Sequence, residues 1–97
     1  MSYALSIGPE AEEDLGVIVA ALEPRYRLSA LSQIMAELDR FADDPIRLGA
    51  RSSRALNRPT FRFSYELEGC TYDLAVSYMF APGEDRVVIT QAYKLRL

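Results

Sequence analysis

The spacing of apolar residues changes once along this chain, near Thr60, and the change restricts the folds that the chain can adopt. Upstream, apolar side chains recur every three or four residues, as on an amphipathic helix. Downstream, they alternate with polar side chains, as on strands with one buried face. Short turns between such strands predict antiparallel pairing. The pattern therefore predicts an α+β domain in which helices precede most of the sheet.

Two helices are predicted upstream, after a short alternating strand at residues 3–7. The first begins at Pro9, which fits a first helical turn, and ends at Glu23, because the residue before a proline is disfavoured in helical geometry. The second covers residues 25–42. Its apolar stripe, expected to be buried, consists of Leu28, Leu31, Ile34, Met35, Leu38, Phe41 and Ala42. A tight break between two amphipathic helices predicts an antiparallel hairpin.

Three alternating runs follow, at residues 61–68, 72–80 and 87–95, and predict a three-stranded meander. The helical hairpin is expected to pack on the aromatic-rich face of this meander. That face is formed by Phe61, Phe63, Tyr72, Tyr78 and Phe80. The complete prediction is a single β-α-α-β-β-β domain over residues 1–97, with the hairpin on one face of a small antiparallel sheet.

Charge is distributed unevenly along the chain, whose formal net charge is −3 at pH 7. Residues 1–44 hold nine acidic residues against three arginines, whereas residues 45–62 hold five arginines and no acidic residue. The five are Arg47, Arg51, Arg54, Arg58 and Arg62. A basic linker in an acidic chain predicts local attraction of an anionic partner. The alternative is a solvated loop that is rich in arginine only because it is exposed.

Composition excludes several kinds of chemistry. The chain has no histidine and one cysteine, Cys70, so catalysis by histidine and zinc sites built on histidine or thiolates are ruled out. A carboxylate cluster for magnesium stays possible, but the acidic residues lie mostly on predicted helix exteriors, and no metal or cofactor is expected. A single cysteine cannot form an internal disulfide, which is typical of the cytoplasm. No apolar stretch approaches the roughly 18 to 20 residues of a membrane span, and the N-terminus lacks the features of a signal peptide. A cytoplasmic protein without membrane contact is expected.

Several short motifs accompany this order of elements. They are the opening strand at residues 3–7, the acidic start of the first helix at residues 9–15, Leu38, the Asp44-Pro45 helix stop, Gly49, Phe61-Arg62-Phe63, and residues 74–78. Together, the order of elements and these motifs resemble the RelE/ParE superfamily, the small toxins of bacterial toxin–antitoxin (plasmid stabilisation) modules. The resemblance spans nearly the whole chain and rests more on the order of elements than on any single residue. It implies the superfamily fold and an antitoxin protein as partner.

The resemblance also implies site residues. Members that cleave ribosome-bound mRNA hold phosphates with cations on the open sheet face and move protons with a side chain near the last strand, while the RNA supplies its own 2′-hydroxyl. By this resemblance, Arg62 and Tyr93 are the catalytic candidates. The candidates for binding nucleic acid or another target are Arg47, Arg51, Arg54, Arg58, Lys94 and Arg96. The alternation leaves the face of Tyr93 ambiguous, and a packed strand aromatic is the alternative interpretation.

One departure from the superfamily pattern distinguishes between the functional alternatives. Where the superfamily usually has an arginine after the meander's first turn, this chain has Asp73 and Ala75, so an RNase site is incomplete and enzymatic activity is left open. The favoured hypothesis is a non-nucleolytic, ParE-like toxin that targets DNA gyrase, with an antitoxin segment lying in an apolar groove between hairpin and sheet. The alternatives are a ribosome-dependent mRNA endonuclease (RelE-like) and an inactive binding or scaffold homologue. In the last, a sheet edge ending at residues 93–95 would form a homodimer.

Overall fold

Helices and strands are arranged in the order β1-α1-α2-α3-β2-β3-β4. A computed structural model describes residues 2–53, 59–81 and 83–95, with the side chains of all of these except residues 50–53. The elements are β1 Ala4–Ile7, α1 Pro9–Ala20, α2 Pro24–Asp43, α3 Pro45–Ser53, β2 Thr60–Leu67, β3 Cys70–Phe80 and β4 Arg86–Lys94. The α+β class is confirmed.

The four strands form one mixed sheet in the order β1-β4-β3-β2. The meander β2-β3-β4 is antiparallel, as predicted. The prediction of a wholly antiparallel sheet is wrong at one side, because β1 pairs in parallel with β4. Helices and strands separate β1 from β4 along the chain, so no hairpin turn fixes their relative direction.

The turn between β2 and β3 sets the register of the meander. It consists of Glu68 and Gly69, whose φ angles of 47° and 82° are those of a two-residue turn of the kind that matches the twist of paired strands. It places Phe63 opposite Leu74, and both side chains are buried. The predicted face assignment of these two strands is therefore correct.

The core lies between the helices and one face of the sheet. Phe41 of α2 stacks on Phe61 at 4.5 Å between ring centroids and meets the edge of Tyr78 at 4.8 Å. Such contacts stabilise aromatic pairs beyond the area they bury. Of the predicted aromatic face, Tyr72 is half-buried and Phe80 is 40% exposed, because both lie toward the ends of β3.

The buried stripe of α2 is narrower than predicted and rotated. Ile34, Leu38 and Phe41 are fully buried and face the sheet, whereas Leu28 is 80% exposed and Leu31 is 42% exposed. Apolar side chains cover more than one face of this helix, so spacing alone did not reveal which face would meet the sheet. The rest of the apolar surface faces solvent beside α1.

The basic linker is partly helical, which corrects its interpretation as a loop. Pro45 both prevents extension of α2 and fits the first turn of α3. Gly49 lies inside α3 and is buried. A Cβ atom added to Gly49 would overlap the hydroxyl and ring of Tyr78. The glycine therefore allows α3, which packs on β2, to lie directly against the Tyr78 side chain of β3.

Candidate functional site

The two predicted catalytic residues lie in one row across the open face of the sheet. Arg62 of β2 pairs with Ala75 of β3, and Ala75 pairs with Tyr93 of β4. Their neighbours Phe61 and Ala92 face the core, so Arg62 and Tyr93 point away from the helices. Two strand spacings separate their backbones by about 10 Å. The short side chain of Ala75 lies between them.

A β-bulge in β4 decides the face of Tyr93. Ser77 pairs with Gln91 and Tyr78 pairs with Ile89, so Thr90 is an extra residue in β4. This allows Ile89 and Ala92 both to be buried toward the helices although they are three positions apart. The sequence left the orientation of Tyr93 ambiguous because a bulge has no reliable signal in a pattern of alternation.

Hydroxyl groups surround this row. Thr60 and Ser77 occupy the adjacent row on β2 and β3, and both are buried. The hydroxyl of Ser77 makes a short contact with the hydroxyl of Tyr93. Among the described residues, no buried side-chain nitrogen or oxygen lacks a hydrogen-bond partner. The row is thus a hydrogen-bonded polar surface on which Arg62 is exposed.

The charge on this face is mixed. Asp73 lies two residues before Ala75 on β3, opposite Ser64 and therefore on the same face as Arg62. In the three rows that contain Ser64, Arg62 and Thr60, Arg62 is the only cation among the described side chains. A polyphosphate bound here would meet the carboxylate of Asp73 beside that single guanidinium, and like charges repel.

Arg86 is a cation on the open face that sequence reasoning missed. It lies opposite Ala4 of β1, donates to Ser6 Oγ at 2.5 Å and approaches Glu84 at 3.5 Å. Its position directly before buried Val87 could have indicated its face. It lies about 20 Å along β4 from Tyr93, given the rise per residue of a strand. Arg86 therefore does not extend the row of Arg62.

The other predicted binding residues do not join this row where the structure describes them. Arg47 lies in α3 on the helix-bearing side and pairs with Asp44 at 2.6 Å, and this hydrogen bond lowers the pKa of the Asp44 carboxyl. Lys94 pairs with buried Leu74, so it extends from the helix-bearing face. Arg51 belongs to α3, but its side chain is outside the described residues. The predicted sites Arg54, Arg58 and Arg96 also lie outside the described residues.

A second candidate site is an apolar groove between α1 and α2, with a volume of about 580 Å³. Its walls include Leu15 and Val19 from α1 and Leu31 and Met35 from α2, with Ile7 at the end of β1. Leu31 is one of the residues left exposed by the rotation of α2. A groove of this size and lining suits an apolar segment of another protein.

Arg27 fixes the geometry of the helical hairpin at this groove. Its guanidinium donates to the carbonyl oxygens of Ala20 at 3.0 Å and Leu22 at 3.1 Å. These carbonyls belong to the end of α1 and the turn after it, where helix carbonyls lack intrahelical partners. Spacing in the sequence gave no sign of this role, since Arg27 is one of several charged residues on an exposed helix surface.

Side chains cover parts of both flanks of the sheet. Asp14 of α1 accepts the backbone N–H of Ala92 at 3.1 Å, beyond the end of β1. The Gln33 side chain of α2 exchanges two hydrogen bonds with the backbone of Glu66, at 2.7 and 2.9 Å. Although β4 lies between β1 and β3 in the sheet order, β1 pairs with it only from Arg86 to Ile89, so the edge expected at residues 93–95 lies beyond the end of β1.

Comparison of the chain with protein-family models, curated proteins and solved structures finds no significant match. Within residues 2–53, 59–81 and 83–95, no three potential ligands among His, Cys, Asp and Glu are grouped to hold a metal ion. In the same part of the chain, no helix has the length and apolarity that a membrane span requires. Functional inference must therefore start from the geometry of the sheet face and the groove.

Proposed function

We propose that the chain is the toxin-like component of a bacterial type II toxin–antitoxin module, that it acts without cleaving RNA, and that an antitoxin neutralises it. The observation that carries this proposal is the composition of the open face. Arg62 and Tyr93 share a row, but Ala75 and Asp73 stand where phosphate chemistry would benefit from a second cation. Stabilising the charge that develops at a scissile phosphate is the main demand on such a site.

The arrangement of elements supports the RelE/ParE part of this proposal. A strand and a helical hairpin precede an antiparallel meander, and the hairpin packs on one face so that the other carries polar residues. The mixed charge of the open face, with Arg62 close to Asp73, suits a protein target better than a polyanion. DNA gyrase, the target of ParE-like members, is the target class that we propose.

The groove between α1 and α2 supports an antitoxin partner. Its apolar walls, with Leu31 and Met35 on one side and Leu15 and Val19 on the other, would bury the apolar face of an added helix or extended segment. Burial of such residues is the main source of affinity in peptide–groove complexes. This position differs from the expected groove between hairpin and sheet, because the sheet side of the hairpin is filled by the core.

Inducible expression of the chain in bacteria, with and without the adjacent reading frame, tests the proposal. Expression alone is expected to stop growth and alter plasmid supercoiling, whereas co-expression restores growth. The matched control is Phe63→Asp, which should abolish the fold and the growth effect together. Normal growth and unchanged supercoiling on expression of a folded parent protein would contradict the proposal and favour a binding or scaffold role.

A ribosome-dependent mRNA endonuclease is the second candidate, favoured by the shared row of Arg62 and Tyr93. In that case Arg62 would bind the scissile phosphate and Tyr93 would take part in proton transfer. Primer extension on translated messages is the discriminating measurement. New 5′ ends that disappear in Arg62→Ala would replace the first proposal with this one, whereas their absence from the parent protein eliminates it.

A further inference from the structure

The contact between Ser77 and Tyr93 links a buried side chain to the predicted site. Tyr93 pairs with Ala75, two residues before Ser77 on the neighbouring strand, so the two hydroxyl-bearing side chains are diagonal neighbours on one face. Ser77 is 7% exposed, and its hydroxyl contacts the hydroxyl of Tyr93. A serine hydroxyl buried in a sheet without a partner would be destabilising, so this contact satisfies a real requirement.

The β-bulge provides a second, independent observation at the same place. The register shift between β3 and β4 falls directly after Ser77, and the extra residue Thr90 turns the following part of β4 so that Tyr93 faces away from the helices. Bulges often redirect a side chain next to a functional site. With strict alternation from Ile89, position 93 would face the helices, and Ser77 and Tyr93 would lie on opposite faces.

We propose that Ser77 is a positioning residue that holds the Tyr93 hydroxyl in one orientation beside Arg62 on the open face. A phenol hydroxyl has one proton and accepts hydrogen bonds near the ring plane. Whichever of the two hydroxyls donates, the contact restricts the direction in which Tyr93 can make a further hydrogen bond. A target that engages the Arg62 row therefore meets a preset group and loses less conformational entropy on binding. The functional part of this inference rests on the proposed function.

NMR of ring-labelled tyrosine tests the positioning directly and needs no activity. The signals of Tyr93 are assigned by their absence in Tyr93→Phe, and NOEs from its ring to the Ala75 methyl report its placement. In Ser77→Ala these NOEs should weaken, while Ser77→Thr, which keeps the hydroxyl, should preserve them. The control Ser64→Ala removes a hydroxyl from the same face of β2 and should leave them unchanged. Unaltered NOEs in Ser77→Ala overturn the inference.

The growth assay tests whether the positioning matters for function. Loss of one hydrogen bond predicts that the protein level needed for half-maximal arrest rises about 2- to 10-fold in Ser77→Ala. Tyr93→Phe should have a similar effect, and the double variant should be no worse than either single one, because the residues act as a unit. Additive losses would overturn the inference. If the parent does not arrest growth, the proposed function fails while the NMR result still decides the role of Ser77.

Discussion

The two faces of β3 carry different chemistry, although their residues alternate along one strand. On the helix-bearing face, Leu74 and Val76 are fully buried and pack against aromatic side chains from β2 and α2. On the other face, Asp73 and Ser77 flank the small buried Ala75, with Arg62 and Tyr93 on the neighbouring strands. Stability therefore depends mainly on the first face, while the second can change its side chains and hence its function at lower cost.

The largest expected difference between the faces is in the free energy of unfolding of two single variants, which place an aspartate at one or the other of two adjacent residues of β2. Phe63→Asp puts a charge into the core and removes a buried ring, so we expect it to destabilise by about 4 kcal/mol or more and to unfold the domain. Ser64→Asp, on the exposed face, should cost about 0.5 kcal/mol. Chemical denaturation monitored by circular dichroism measures both, and equal effects would show that the faces are assigned incorrectly.

Gly49 and Gly16 allow a matched comparison of a packed and an open helix surface. Gly49→Ala should destabilise by about 1–3 kcal/mol, because the added methyl group overlaps Tyr78 and overpacking outweighs the better helix propensity of alanine. Gly16→Ala meets no atom within 4 Å and should stabilise by about 0.5–1 kcal/mol. Thermal unfolding measures the stability of the two variants relative to the parent protein. Stabilisation by both substitutions would mean that α3 does not pack on Tyr78.

Leu31→Glu separates partner binding from stability at the groove between α1 and α2. Leu31 is 42% exposed, so its replacement should change the free energy of unfolding by about 1 kcal/mol or less. A carboxylate in the groove should nevertheless prevent neutralisation by the proposed antitoxin, since a buried unpaired charge is unfavourable at an interface. Co-expression growth assays and pull-down measure this loss. Leu67→Glu, at a buried core position, is the contrasting variant that should lose the fold as well.

The smallest expected effect concerns Arg47, which the sequence assigned to target binding and the structure pairs with Asp44. The pKa of the Asp44 carboxyl is lowered below its ordinary value of 3.8, chiefly by the hydrogen bond from Arg47. Because the pKa of Asp44 is lower in the folded protein, its carboxylate stabilises the folded state above pH 3.8. This contribution is lost as the pH falls through the pKa that Asp44 has in the folded state. Melting temperatures between pH 2 and 6 should therefore fall less steeply in Arg47→Ala, and superimposable profiles would contradict this role.

Much of the fold was predictable from local patterns. The order of the predicted elements, the start of α1 at Pro9 and the burial of Phe63 and Leu74 on one face all follow from helical spacing, alternation and turn residues. The parallel pairing of β1 with β4 was not predictable, because it joins segments at opposite ends of the chain. The helix α3 was also missed, since arginine, serine and glycine side by side indicate exposure more strongly than helix formation.

In the candidate site, too, the sequence placed some residues correctly and others not. Arg62 was placed correctly on the open face by the alternation of β2, whereas Lys94 was grouped with it and lies on the helix-bearing face. The bulge at Thr90 exchanges the faces of Tyr93 and Lys94 relative to strict alternation. The role of Arg27 was hidden because its acceptors are backbone carbonyls, which carry no signal in the sequence.

The sequence by itself determined the positions of the first strand, of α1 and α2 and of the three meander strands, and which face of β2 and β3 meets the helices. Each of these depends on side chains a few residues apart, for which backbone geometry fixes the spacing. Only the tertiary structure decided that Tyr93 shares a row with Arg62, that the Ser77 hydroxyl contacts that of Tyr93 and that the remaining apolar side of α2 forms a groove with α1. These features depend on the register of distant strands and on how much of each apolar surface its neighbours can cover.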